Sequence, residues 1–117
     1  MTDENLRQRQ EDFNRRAGEA IVSAYNVAAR GGTDFGQAVT NPYRELMDAA
    51  EHQFRTAAEA GDLQGMADGW NDLTDILAHV AHANARLGVA LLDTMVNSTG
   101  LSAEEAMAKT IGRFQSN

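Results

Sequence analysis

Between Leu63 and Thr94 the chain holds one unbroken alternation of three- and four-residue steps: Leu63, Met66, Trp70, Leu73, Leu77, Val80, Asn84, Leu87, Leu91 and Thr94. Mostly apolar residues at that spacing fall on one stripe of an α-helix, and over five heptads they form a seam against which other helices pack. The pattern predicts one helix over residues 62–97, about 54 Å long at roughly 1.5 Å per residue. Gly65 and Gly69 fall inside it, each about 1 kcal/mol less favourable than Ala in a helix. Because the seam runs straight through them, the helix is expected to be continuous and the glycines to admit a close neighbour.

The other segments are read by how they cover that seam. Over residues 3–30 the spacing Leu6, Gln10, Phe13, Ala17, Ala20, Ala24, Val27 predicts a second long helix, ended by Gly31 and Gly32. Thr33 to Asn41 lacks helical periodicity and is expected to be a turn that tucks Phe35 and Val39 inward. Asn41 before Pro42 reads as a helix start, since the residue before proline is pushed out of the α region and can cap. The helix that follows, residues 42–60, should bury Tyr43, Leu46, Met47, Ala50, Phe54 and Ala57, with Gly61 closing it and Asp62 capping the next. Ser98, Thr99 and Gly100 break the central helix. Ser102 and Glu105 then form a capping box for a short helix over 102–115, apolar along Met107, Ile111 and Phe114. The expected fold is an all-α antiparallel bundle of three principal helices with a short C-terminal fourth, in one domain spanning 1–117.

Composition limits what such a bundle can bury. Of 117 residues 43% are hydrophobic, but 20 are Ala and only 6% are aromatic, so the core is thin and self-association is a common remedy. No Cys is present, which excludes disulfides and thiolate metal sites. The opening Met-Thr-Asp-Glu-Asn lacks the regions of a signal peptide, and no run of 18 apolar residues exists to span a membrane. A cytoplasmic location is therefore expected. A net charge of −7 repels nucleic-acid phosphate, so no direct nucleic-acid binding is expected. Arg7, Arg9, Arg15, Arg16 and Arg30 are balanced by acids on the same helix and read as a solvated face with i,i+4 pairs. Gly31, Gly32 and Gly36 are not followed by the Lys-Ser/Thr of a phosphate loop.

Placing Leu63, Trp70, Leu77, Asn84 and Leu91 at heptad position a, and Met66, Leu73, Val80, Leu87 and Thr94 at d, leaves Asn84 as a polar interruption of the seam. A lone Asn at a fixes register and oligomer number by pairing with its own copy. No e or g residue is charged: Ala67, Thr74, Ala81, Gly88, Met95 at e and Gly69, Ile76, Ala83, Ala90, Asn97 at g. Position f changes from Asp68, Asp75 and His82 to Val89 and Val96, and Leu92 at b joins them. Val89, Leu92 and Val96 must be covered by the fourth helix or another subunit. A homo-oligomer, a dimer first among them, is the expectation.

Two chemical patterns remain. Asp72, Asp75, His79, His82 and Arg86 share one stripe of the central helix, and Asp75, His79 and His82 have the residue types of a carboxylate and imidazole metal site, to which His52 with Asp48 or Glu51 would add. The stripe occupies c and f, away from the seam, and the Glu-x-x-His of di-metal bundles is absent; surface histidines beside acids are the simpler account. From Glu45 to Asp75 there are eight carboxylates and one Arg, a surface suited to docking on a basic protein or imitating a nucleic-acid backbone. No nucleophile and base arrangement appears, so no enzyme, cofactor or catalytic residue is expected. The pattern fits a non-catalytic helical interaction protein acting through self-association and a protein partner, its contact residues Asn84, Val89, Leu92 and Val96. An acidic nucleic-acid mimic and a metal-binding bundle are the alternatives.

Overall fold

The structure, a computed structural model, describes residues 2–116, the side chains of Phe114 and Ser116 excepted. All regular structure among the described residues is helical: α1 (Asp3–Ala29), α2 (Gly36–Thr40), a 3-10 turn (Asn41–Tyr43), α3 (Arg44–Glu59), α4 (Leu63–Thr99) and α5 (Ala103–Ser116). The chain divides into two compact units, Met1–Asn84 and Ala85–Asn117. As the spacing predicts, α4 runs unbroken through Gly65 and Gly69.

The helix ends follow local chemistry. Thr2 Oγ1 accepts from the Asn5 N–H at 3.2 Å and opens α1. At its other end the Gly32 N–H reaches Val27 O and the Gly31 N–H reaches Ala28 O, both at 2.9 Å, with Gly31 at φ +77°, a Schellman closure. The same pair of bonds recurs where α3 ends, from Asp62 to Ala57 O and from Gly61 to Ala58 O. Asp62 then turns its carboxylate to the Gly65 N–H at 3.0 Å and starts α4. Ser102 and Glu105 exchange side-chain to backbone bonds at 3.1 and 3.2 Å, the expected capping box. Those bonds hold the Glu105 carboxyl below its usual range.

Two expectations about the connection after α1 are corrected. Residues Gly36–Thr40 form a helical turn; Ala38 is its buried member, while Phe35 and Val39 are exposed. Asn41 does not cap α3. It sits in the α region at φ −52°, ψ −43°, and its side-chain oxygen accepts from Arg44 at 3.2–3.3 Å. The α2 turn feeds directly into the 3-10 turn, so Asn41 is already helical and Pro42 continues the path.

In the first unit α1, α3 and α4 pack up, down and up. Phe54 meets Gly69 and Ala57 meets Gly65, a falling register that makes α3 and α4 antiparallel. Arg9 pairs with Asp75 and Phe13 stacks on His79 at 5.0 Å between ring centroids, a rising register that runs α1 alongside α4. One turn further along each helix, Ala17 and Ala83 are both buried, 0% and 2% exposed. Phe13 also stacks on Tyr43 at 6.3 Å, and the Arg16 guanidinium donates to the Pro42 carbonyl. Tyr43, Ala50 and Ala57 line the buried side of the descending segment, as its periodicity predicts.

The phase of α4 differs from the expected one. Its buried residues are Gly69, Ile76 and Ala83, all at g, flanked by half-buried Met66, Leu73 and Val80 at d. Position a faces outward: Leu63 is 79%, Trp70 57% and Leu77 51% exposed. The reason is distance. A Cβ added to Gly69 would lie 2.9 Å from the Phe54 backbone N and 3.0 Å from its Cα, so α3 rests on a bare stretch of α4 backbone that Trp70 or Leu77 would hold away.

Gly69→Ala is therefore expected to destabilise the fold by about 1–3 kcal/mol through overpacking against backbone, although Ala is the better helix former. Gly18, whose Cβ would meet nothing within 4 Å, is the control: Gly18→Ala should stabilise by up to about 1 kcal/mol. Urea titrations of both variants followed by circular dichroism check the pair.

Candidate protein interface

The polar stripe of α4 is only partly a surface feature. His79 is half-buried, its ring against Phe13, and its Nε2 lies 3.6 Å from Asp75 Oδ1. Asp75 also receives the Arg9 guanidinium, so its carboxylate is occupied from α1 and from its own helix. Asp72, His82 and Arg86 are exposed. Among the described residues no three His, Asp or Glu side chains come together in a group that could hold a metal ion, so Asp75, His79 and His82 do not converge as ligands. The expectation that position c is exposed fails at His79, because the rotation that buries g brings c toward α1.

Beside this stripe lies an open groove of about 460 Å3, floored by Phe13, Leu46, Ala50 and Ile76 and rimmed by Arg9, Asp12, Asp72 and Asp75. Partial burial would raise the Asp12 carboxyl, but hydrogen bonds from Arg16 at 2.8 Å and Arg15 at 2.6 Å outweigh it and hold the pKa below the ordinary 3.8. Arg15 also bonds Glu19 at 2.5 Å and Arg7 sits 3.8 Å from Glu11, the i,i+4 pairing expected of α1. Within the acidic stretch, Glu51 is paired with Arg55, Asp62 caps α4, Asp68 accepts from Gln64 and Asp75 holds Arg9. Half of its eight carboxylates thus serve contacts inside the chain.

The outer face of α4 differs: among the described residues its side-chain hydrogen bonds are those of Gln64 to Asp68 and of Thr74 to Asn71 O, both within α4 itself. At about 100° per residue, heptad position e lies roughly 40° and b roughly 100° beyond a. From Leu63 to Asn84 these three positions are Leu63, Trp70, Leu77, Asn84; Ala67, Thr74, Ala81; and Gln64, Asn71, Ala78, all ten exposed and none charged. Every Asp and His of α4 in this range lies instead at c or f. Thr74 donates its hydroxyl to Asn71 O at 3.0 Å, which satisfies the hydroxyl within the helix. Asn84 lies on this face in the open, not inside a packed seam, and has no side-chain partner among the described residues.

In the second unit, α5 folds back on the end of α4: Thr110 Oγ1 lies 3.6 Å from Met95 Sδ, and Ala106 is fully buried. Leu92 and Val96 are half-buried, whereas Val89 is 68% exposed. The apolar side expected of α5 is corrected: Met107 and Ile111 are 43% and 47% exposed, and it is Ala106, small enough for close approach, that is buried. Phe114, assigned to that side from its spacing, lies outside the described side chains.

No described helix is long and apolar enough to cross a membrane. Comparison with protein-family models, with characterised proteins and with solved structures returns no match.

The depressed Asp12 pKa fixes a pH dependence. Its stabilising contribution is present above the unfolded value near 3.8 and is lost as pH falls through the lower folded value. Asp12→Asn should lower stability at neutral pH by at most about 1 kcal/mol, since the pair is partly exposed and screened, and its difference from wild type should shrink as pH drops below about 4. Denaturant midpoints measured across that range check it.

Proposed function

We propose that the chain is a non-catalytic, cytoplasmic helical interaction protein, working through self-association and a protein partner, with the outer face of α4 in the first unit as its contact surface. The observation that carries this reading is the concentration of exposed Leu63, Trp70 and Leu77 on a face without charge, in a chain that is 23% charged. Scattered exposed apolar residues are ordinary, but a contiguous apolar patch on a soluble fold marks a contact site. Trp is also the residue type most enriched at the energetic centres of interfaces. Ala67, Ala78 and Ala81 beside it let another helix approach closely. The acidic surface elsewhere keeps such a protein dispersed while the uncharged face stays available.

Trp70→Glu with Leu77→Glu tests the surface. Both positions are more than half exposed, so the folded chain should lose no more than about 0.5 kcal/mol. Association read by light scattering, and retention of partner, should be lost, because charge buried without a counterion is costly. Trp70 is the single Trp, so in the wild type its fluorescence should become shielded from acrylamide as complexes form. A double variant that associates like wild type removes this face from consideration, and one that unfolds shows that the two residues support the fold instead.

A further inference from the structure

We infer that the groove where α1, α3 and α4 of the first unit meet binds a small organic cation, an ammonium carried on an apolar or aromatic body, with Asp72 taking the charge. This is a different surface from the outer face of α4, since Asp72, Asp75 and Ile76 lie at c, f and g.

Shape sets the size and character of the occupant. The space is about 460 Å3, within the range of small-molecule sites and equal to roughly fifteen waters at about 30 Å3 each. A single basic side chain from a partner protein replaces a minority of those waters, whereas a free molecule with a fused ring and a short chain fills far more of the groove. The floor is Phe13, Leu46, Ala50 and Ile76; Phe13, Ala50 and Ile76 are buried and Leu46 is half-buried. A body laid on it gains by leaving water only if it is apolar. All the lining residues lie within α1, α3 and α4, whose backbone groups are spent on helical hydrogen bonds, so polar recognition falls to side chains at the rim.

Charge sets the sign. The rim carries Asp12, Asp72 and Asp75 against Arg9. Asp12 is held by Arg15 and Arg16. Asp75 is held by Arg9, and His79 Nε2 lies 3.6 Å from its other oxygen. Asp72, exposed at the lip, has no ion pair or side-chain hydrogen bond among the described residues. An anion entering the groove meets three carboxylates and a guanidinium already engaged. A neutral body laid across it strips water from Asp72 and puts nothing in its place, which is costly. An ammonium replaces that water with a charge-assisted hydrogen bond. The Phe13 ring is already stacked on His79 and Tyr43, with the Arg9 guanidinium carbon 5.9 Å from its centroid, so the carboxylate and not the ring holds the charge. An exposed acid is ordinary by itself; one without a cation, at the lip of an apolar groove whose other acids are paired, orients an amphipathic cation.

The probe is the tryptamine cation, compared with tryptophol and indolepropionate, which keep the indole body and change the charge. Titrations of the full-length chain followed by amide correlation NMR should give saturable shifts at the groove residues, with a Kd of about 0.1–1 mM for so small a ligand. Tryptophol and indolepropionate should bind at least about tenfold more weakly. Asp72→Asn should weaken the cation about tenfold and leave tryptophol unchanged, a difference that loss of structure does not produce. Asp48→Asn removes the same charge from a part of α3 outside the groove and should leave the Kd within about twofold. Ala49→Phe, at an exposed lining position, should block the cation with helical circular dichroism retained. Equal affinity for the three ligands, shifts confined to Leu63, Trp70 and Leu77, or no saturation by about 10 mM overturns the site. The competing occupant is represented by the peptide acetyl-Leu-Lys-Leu amide: binding in the same groove at least about tenfold tighter than tryptamine overturns the small-molecule reading in favour of a basic segment of a protein.

Discussion

The contact on which the first unit depends is the one between the Phe54 backbone and the bare backbone at Gly69. A side chain at that point would stand 2.9–3.0 Å from Phe54 atoms, so the approach exists only because position 69 has none. Once α3 rests there, the rotation of α4 is set: Gly69, Ile76 and Ala83 turn inward and the large residues at a turn outward. The contact between α1 and α4 is made by the Phe13–His79 stack and the Arg9–Asp75 pair, with small Ala17 and Ala83 buried one turn further along their helices. Small residues thus determine the orientation that in most bundles large ones determine.

That dependence explains how much of the architecture could be read from the sequence. The existence of α1, α3, α4 and α5, the continuity of α4, the closures at Gly31 and Gly61, the Asp62 cap and the Ser102–Glu105 box were legible because each rests on local chemistry, whereas the α2 turn was not. The phase of α4 was not. Two stripes of the same spacing run along it, and the one bearing Trp70, Leu77 and Leu91 outweighs its neighbour in apolar bulk. The signal that separates them is present within the first unit, however: there the stripe Met66, Gly69, Leu73, Ile76, Val80, Ala83 has no polar member, whereas the heavier stripe includes Asn84. An interior tolerates a glycine more readily than an unpartnered amide. Weighing interruption above bulk would have chosen the buried face.

The same rotation redistributes the candidate residues. His79, expected at the surface, became part of the packing against Phe13, and Asp75 became an ion-pair partner of Arg9, so the stripe that resembled a ligand set is largely committed to joining α1 to α4. The Asn41–Pro42 pair illustrates a related limit. The preference of a residue before proline for extended backbone is a local bias, and continuity of the helical path from Gly36 onward was enough to override it.

Positions a, e and b of α4 in the first unit contribute little to the folded monomer, and this is what makes their composition informative. A Leu that is 79% exposed keeps most of its contact with water when the chain folds and a Trp that is 57% exposed keeps more than half, so folding realises only part of the free energy of removing them from water. Folding alone would be served as well by Lys, Glu or Gln, which are good helix formers and more soluble. Yet over ten such positions there is no charge at all, while c and f of the same turns carry three Asp and two His. One side of the helix is polar where it needs solvent and paired where it meets α1; the other is uncharged and exposed, with Leu63, Trp70 and Leu77 among its members. The free energy available from that second side is realised only when it leaves water, and the proposed intermolecular contact is an event that would remove it.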